Sequence, residues 1–436
     1  LISLLGSASL FAQPRYNSPY SRLGLGDVQD VNFVAAASMG RLGATFHDPY
    51  MINLVNPASL GFIRSTALEV GIFAETSILR NQQTGQSANL RDGNLSYIGL
   101  GFPLRSPINE AVDRKEFDFN WGMAFGLLPY TNVGYDIEST EAGPSPEVGD
   151  ILYAYQGSGS TYRLYWANGW NYKNFSFGLN LQYVFGKLSR QNEELFLDLN
   201  GSYQNFYEET FNINGFAWNT GVMYKLMLEK EEEGKATNYS GKSLTFGLYG
   251  NGRTGFTTTS DRLLERLSGA YFSRDTFLFE EEVRGNGKLP MQLGLGILFD
   301  DGKRWKVGLD AEWTRWSGYE NDAKQETLSD VWKWSAGLEW IPDHTSYNNF
   351  LKRMRYHLGA YYQTDPRSVG GEQLTQYAGV AGFGIPIILK QDIAFINLKF
   401  ETGQFGPSDG LQETFYNFSF GFTLNDNTWF YKRKFR

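Results

Sequence analysis

Between Thr66 and Leu424 the chain repeats one pattern, segments of about 10 to 13 residues in which apolar and polar side chains alternate. Successive side chains on a strand point to opposite faces, so this period builds a sheet with one apolar and one polar surface. About fourteen such segments fall near 66–76, 92–104, 116–130, 161–171, 174–188, 214–227, 243–256, 289–300, 304–316, 331–342, 354–364, 377–388, 392–402 and 413–424. The reading is an all-β chain, a 14-stranded antiparallel transmembrane β-barrel.

The parity of the charges carries the argument further. In the ninth segment Trp305, Val307, Leu309, Ala311 and Trp313 share one face, and Lys306, Gly308, Asp310 and Glu312 the other. In the fifth, Phe175, Phe177, Leu179, Leu181, Tyr183 and Phe185 oppose Ser176, Gly178, Asn180 and Gln182. Glu69, Asp118, Arg163, Lys225, Lys399 and Glu401 also sit on the less apolar parity. A charge facing lipid at mid-bilayer costs on the order of 2 to 4 kcal/mol, so a membrane enforces such sorting.

Trp305 and Trp313 lie eight residues apart on the outward parity, as do Trp332 and Trp340. At about 3.3 Å per residue and a tilt near 40°, that spacing projects to roughly 20 Å, close to the height between interfacial aromatic girdles. If 313 faces 332, then 305 faces 340, and the same register sets Glu312 against Lys333 and Lys306 against Glu339 on the lumen side. Connections after odd segments read as long and those after even ones as shorter, which places long loops outside and both chain ends in the periplasm.

Composition agrees. Aromatic residues make up 16% of the chain, yet mean hydropathy is only -0.37, as interleaved rather than continuous apolar residues require. Beyond the first dozen residues no run reaches the roughly 18 apolar residues of a membrane helix. A secreted β-sandwich also alternates, but its strands average about 5 to 6 residues and would hide so many aromatic side chains. There is no Cys, hence no disulfide framework or thiolate metal site, and the three His give little material for a metal centre. No metal or other cofactor is expected. A net charge of -8 argues against a nucleic-acid partner.

Residues 1–12 (LISLLGSASLFA) read as the remnant of a signal peptide cleaved after Ala12, 13–62 as a plug, 63–426 as the barrel and 427–436 as a periplasmic basic tail. The 228–242 turn, with its acidic run from Glu229 to Glu233, reads as solvated.

Asn56, Pro57 and Ala58 stand just before the first strand, KLPMQLGLGI at 288–297 pairs a Leu-Pro with spaced glycines, and AGFGIPI at 381–387 and NTWFYKRKFR at 427–436 close the order. This order resembles the FadL family of outer-membrane transporters for hydrophobic compounds, and its last two elements resemble relatives from Bacteroidetes-type bacteria. The resemblance implies an N-terminal hatch inside the lumen that ends at the Asn-Pro-Ala element. It also implies passive uptake of a hydrophobic, fatty-acid-like molecule, released sideways into outer-membrane lipid near a kinked third strand. Pro129 is the candidate kink, because proline cannot donate to a ladder. Tyr130, Val133 and Tyr135 either line that route or cap the barrel. If the strand ends at Leu128, Pro129 instead begins a loop.

Phe33, Met39, Leu42, Phe46, Met51 and Leu54 either line a substrate path or form a small core that plugs the barrel. Arg163, Lys333 and Arg355 are candidate partners for a carboxylate headgroup, and each could equally pair with a wall carboxylate such as Glu312. Hydrolase chemistry needs a His beside a Ser on the lipid-facing surface; His47, His344 and the lumen-facing His357 do not meet that demand, so no enzyme is expected. The remaining alternative is a non-transporting accessory barrel, held with other outer-membrane proteins in a protein-insertion or secretion complex.

Overall fold

The computed structural model describes residues 18–105, 118–145, 148–199, 201–229, 241–268, 273–346, 348–388, 393–407 and 409–426. The expected cleavage after Ala12, the acidic run beyond Glu229 and the basic tail 427–436 lie outside them. Fourteen long strands are numbered here in chain order. They are β1 Thr66–Asn81, β2 Ser87–Pro103, β3 Phe119–Ala142, β4 Asp150–Tyr172, β5 Phe175–Phe196 and β6 Tyr203–Met227. β7 is Ser243–Asn251 continued by Thr254–Ser268, and β8 is Ser273–Leu289 continued by Met291–Asp300, interrupted at Pro290, which has no N–H to give. The ring is completed by β9 Trp305–Arg315, β10 Val331–Trp340, β11 Arg355–Val369, β12 Glu372–Ile388, β13 Ile393–Gly406 and β14 Leu411–Asp426. Each pairs antiparallel with the next, and β14 pairs with β1 from Leu411↔Asn81 to Asp426↔Thr66, which closes a 14-stranded barrel.

Burial is the inverse of a soluble protein's. Leu309 and Trp334 are 56% and 54% exposed, whereas Glu339 and Glu401 are 2% and 1% exposed. Such an apolar exterior is stable only against hydrocarbon, and the strands that carry it close into a ring.

The register expected for β9 and β10 is present. Trp305 faces Trp340 and Trp313 faces Trp332, with ring centroids 5.5 and 6.2 Å apart. On the inner face Lys306 reaches Glu339 at 2.9 Å and Lys333 reaches Glu312 at 3.9 Å.

Loop lengths differ from expectation. Most of 131–160, 189–213 and 257–288, read from sequence as loops, is strand: β3 runs on to Ala142, β4 begins at Asp150, β5 reaches Phe196 and β6 begins at Tyr203. The connection 316–330 after β9 remains long, but those after β1, β3, β5 and β11 span only two to seven residues. Above the hydrocarbon both faces of a strand can be polar, so alternation fades while the ladder continues. With 24 residues in β3 and 10 in β10, one side of the wall stands about 60 Å tall and the other about 25 Å, at about 3.3 Å per residue and a 40° tilt. The upper parts of β3 to β8 thus form an open six-stranded half-shell, the crown.

Candidate functional site

Residues 18–63 lie within the ring and touch most of its strands. They contain short helical turns at Pro19–Arg22, Val34–Ser38 and Pro57–Phe62. Asn56 caps the last of these, its Oδ1 accepting from Ala58 N at 3.1 Å, while its Nδ2 donates to Ala44 O at 2.7 Å. Pro57 sets the first helical position, where its missing N–H costs nothing.

The wall is shaped to receive this segment. Inward glycines form in-register rows: Gly122, Gly169, Gly178 and Gly221 across β3 to β6, and Gly308, Gly337 and Gly359 across β9 to β11. A Cβ at Gly122 would stand 2.0 Å from Leu60 O, at Gly178 2.2 Å from Pro57 C, at Gly247 2.1 Å from Ala44 O and at Gly337 2.0 Å from Met39 O. Strand glycines often mark a close backbone approach, and here they let the N-terminal segment meet the wall without a gap. Sequence reading placed Gly178 and Gly308 on the inner face but missed their role. One inward glycine in nearly every strand was the available signal.

Polar groups fix the segment in rotation as well as depth. Asp310 accepts from Gly43 N and Ala44 N, both at 2.7 Å. Arg41 reaches Glu401 at 2.7 Å and Asp30 at 3.3 Å, and Arg355 reaches Asp48 at 2.6 Å. His357 lies 2.6 Å from Ser38 Oγ through Nδ1 and 3.0 Å from Glu339 Oε2 through Nε2. Because the carboxylate only accepts, Nε2 carries a proton. Ser38 and His357 are both buried and neither lines the cavity that Leu54 borders, so this trio fastens the segment to β10 and β11. His47 donates Nδ1–H to Thr45 O at 2.9 Å; burial, reinforced by Lys225, pushes its pKa down to about 3.

Of the six apolar residues proposed to line a path, Phe33, Met39, Leu42, Phe46 and Met51 pack into closed clusters, with Phe33 stacked on Tyr97 at 3.9 Å. Of the six, only Leu54 borders a cavity inside the ring. That cavity, about 370 Å³, lies on the crown side of the glycine rows and is lined by eight Asp or Glu and five Lys or Arg side chains. Glu312, Lys333 and Arg163 border it; Arg355 and His357 do not. Tyr249 Oη donates to Glu312. The Arg163 guanidinium sits 3.4 Å over the Tyr130 ring, with no carboxylate in ion-pair range among the described residues.

The ring is incompletely paired between β2 and β3. β2 and β3 share a ladder only from Ile98↔Leu127 to Pro103↔Gly122. β3 continues past Pro129 with a bulge between Pro129 and Thr131, so the loop reading of Pro129 does not hold. There the N-terminal segment supplies the missing strand: Asp27 pairs with Asn132, Val28 with Thr131, and Gln29 N donates to Tyr130 O at 2.8 Å. Arg367 binds Asp27 and donates to Tyr20 O at 2.9 Å. Pro129 and Tyr130 border the cavity beside this seam, whereas Val133 and Tyr135 are buried in an apolar cluster with Leu25.

No curated protein matches the sequence. Among solved structures, a Pseudomonas aeruginosa FadL homologue aligns with TM-score 0.54 and 12% identity over 91% of this chain and 98% of that one. The Ralstonia pickettii toluene transporter TbuX aligns with TM-score 0.53 and 13% identity over 92% and 98%, and the Pseudomonas putida toluene transporter TodX with 0.52 and 14% over 91% and 99%. At this identity the likeness establishes the barrel fold, and the expected FadL-type architecture is correct at that level. The family model BamG matches residues 1–436: the chain belongs to the BamG family.

Proposed function

We propose that this barrel is a non-transporting, accessory subunit of a larger outer-membrane protein assembly, with residues 18–63 as its fixed plug. The observation that carries this reading is the chemistry of the cavity. A site for a hydrophobic molecule is lined mainly by apolar groups with a few polar anchors. Here thirteen ionisable side chains surround about 370 Å³, and most are tied to one another or to the plug. A hydrocarbon entering would strip water from charged groups and return no hydrogen bonds. The glycine seat favours the same view, since it leaves little room for the plug to move. The test is gentle solubilisation followed by native mass spectrometry of bound protein and bound lipid. A stoichiometric complex with other outer-membrane proteins is expected; a lone barrel carrying a hydrophobic small molecule would overturn the proposal.

A second reading rests on the seam. A FadL-like conduit would admit a hydrophobic molecule from the crown side and release it sideways between β2 and β3, past Pro129 and Tyr130. Its support is the short β2–β3 ladder and the cavity beside it. Cysteines at Val28 and Thr131, which face each other, would lock this exit as a disulfide. In reconstituted vesicles a conduit takes up toluene or laurate faster than empty vesicles and loses that advantage on oxidation. The accessory reading expects no such uptake in either state.

A further inference from the structure

Among the described residues, the half-shell above the membrane ends in two free strand edges, and they differ. The β8 edge over Ser273–Arg284 is broken by shifts at Thr276/Leu278 and Glu280/Val283, with Glu282 at φ +53°. Bulges of this kind are a standard means of preventing an edge from accepting another strand. The β3 edge lacks them: Thr131 to Ala142 pair with Thr161 to Asp150 of β4 in unbroken register. That edge already accepts a strand, because residues 27–29 pair with it at Tyr130 to Asn132. The chain then turns away, and after Ser21 Oγ accepts from Gly134 N at 3.1 Å no backbone pairs with this edge from Tyr135 to Ala142 among the described residues.

The pleat defines what would fit. Tyr135 and Ile137 face inward against the apolar cluster, while Asp136, Glu138 and Thr140 face outward and are exposed. The residues opposite on β4 are Gln156, Ala154 and Leu152, and no cation pairs with Asp136 or Glu138 among the described residues. We propose that the β3 edge from Tyr135 to Ala142 docks an extended segment of a partner protein in which basic residues alternate with apolar ones. The ladder would give affinity and the pleat specificity: lysine or arginine against Asp136 and Glu138, apolar side chains against Tyr135 and Ile137. This inference rests on the accessory reading and names the chemistry of its partner.

The probe is a short peptide of alternating lysine and valine, titrated against the full chain in nanodiscs. Two N-methylated versions accompany it, one modified at every lysine amide and one at every valine amide. Saturable binding is expected, lost at least tenfold in one methylated series and retained in the other, because a strand added at one edge uses alternate amides. Asp136→Lys with Glu138→Lys should weaken the peptide at least tenfold and favour its glutamate counterpart. No saturable binding, equal behaviour of both methylated series, or indifference to charge reversal each overturns the proposal. The native assembly separates this from the broader reading. A complex that forms with wild type and survives both the reversal and excess peptide sinks the edge inference alone. A wild-type chain with no complex sinks the accessory reading, and the peptide titration then judges the edge by itself.

Discussion

A methyl group at Gly337 has no free volume to occupy, since the Met39 carbonyl oxygen is already 2.0 Å from where it would stand. Overpacking of this kind costs about 1 to 3 kcal/mol. Gly337→Ala should therefore lower the urea midpoint and expose residues 18–63 to protease. Gly379→Ala, where nothing lies within 4 Å, should change neither. Charge gives a second test. Arg355→Met leaves Asp48 buried without its cation, a loss of about 3 to 5 kcal/mol by urea titration, and Asp48→Asn in the same chain should recover most of it. His47 adds a pH dependence of defined sign. Its pKa is about 3 in the folded chain against an ordinary 6.5, so between those values the unfolded chain binds more proton. Its contribution is complete above pH 6.5 and is lost as pH falls toward 3; His47→Gln should flatten that part of the stability profile relative to wild type.

At the scale of strands, what sequence revealed followed the solvent. Where lipid wets one face, each outward position must be apolar, so β9 and β10 could be aligned from two tryptophans and two charges apiece. Leu309, 56% exposed near the middle of β9, is a direct probe of that boundary. Leu309→Arg should destabilise the barrel by about 2 to 4 kcal/mol in vesicle refolding, whereas the same change at Thr140 in the crown should cost little. The crown was illegible for the converse reason: in Asp136, Glu138 and Thr140 no requirement for apolar residues survives. The seat was hidden differently. Gly122, Gly178 and Gly337 are glycines because backbone from 38–60 crosses them, and that cause lies far away in sequence. Asn56, Pro57 and Ala58 were found by resemblance, while Asp310, Glu401 and Arg367, which bind the segment most directly, carry no local pattern that distinguishes them from other wall charges.

The molecule as a whole combines a closed ring, a lumen filled at the level of the glycine rows and a one-sided crown. Such a barrel should pass almost no ions: in planar bilayers the full chain is expected to show no steady open-pore current, and a constant conductance would contradict the packed seat. The tryptophan pairs of β9 and β10 have one more consequence. Their spacing brackets only about 20 Å along the bilayer normal, less than the about 25 Å apolar band usual for these barrels. Acyl chains beside that flank should shorten or splay to match it. Bromine placed shallow on a lipid tail should quench Trp305 and Trp340 more strongly than bromine placed deep, and a protein seated on that flank would inherit an already thinned membrane.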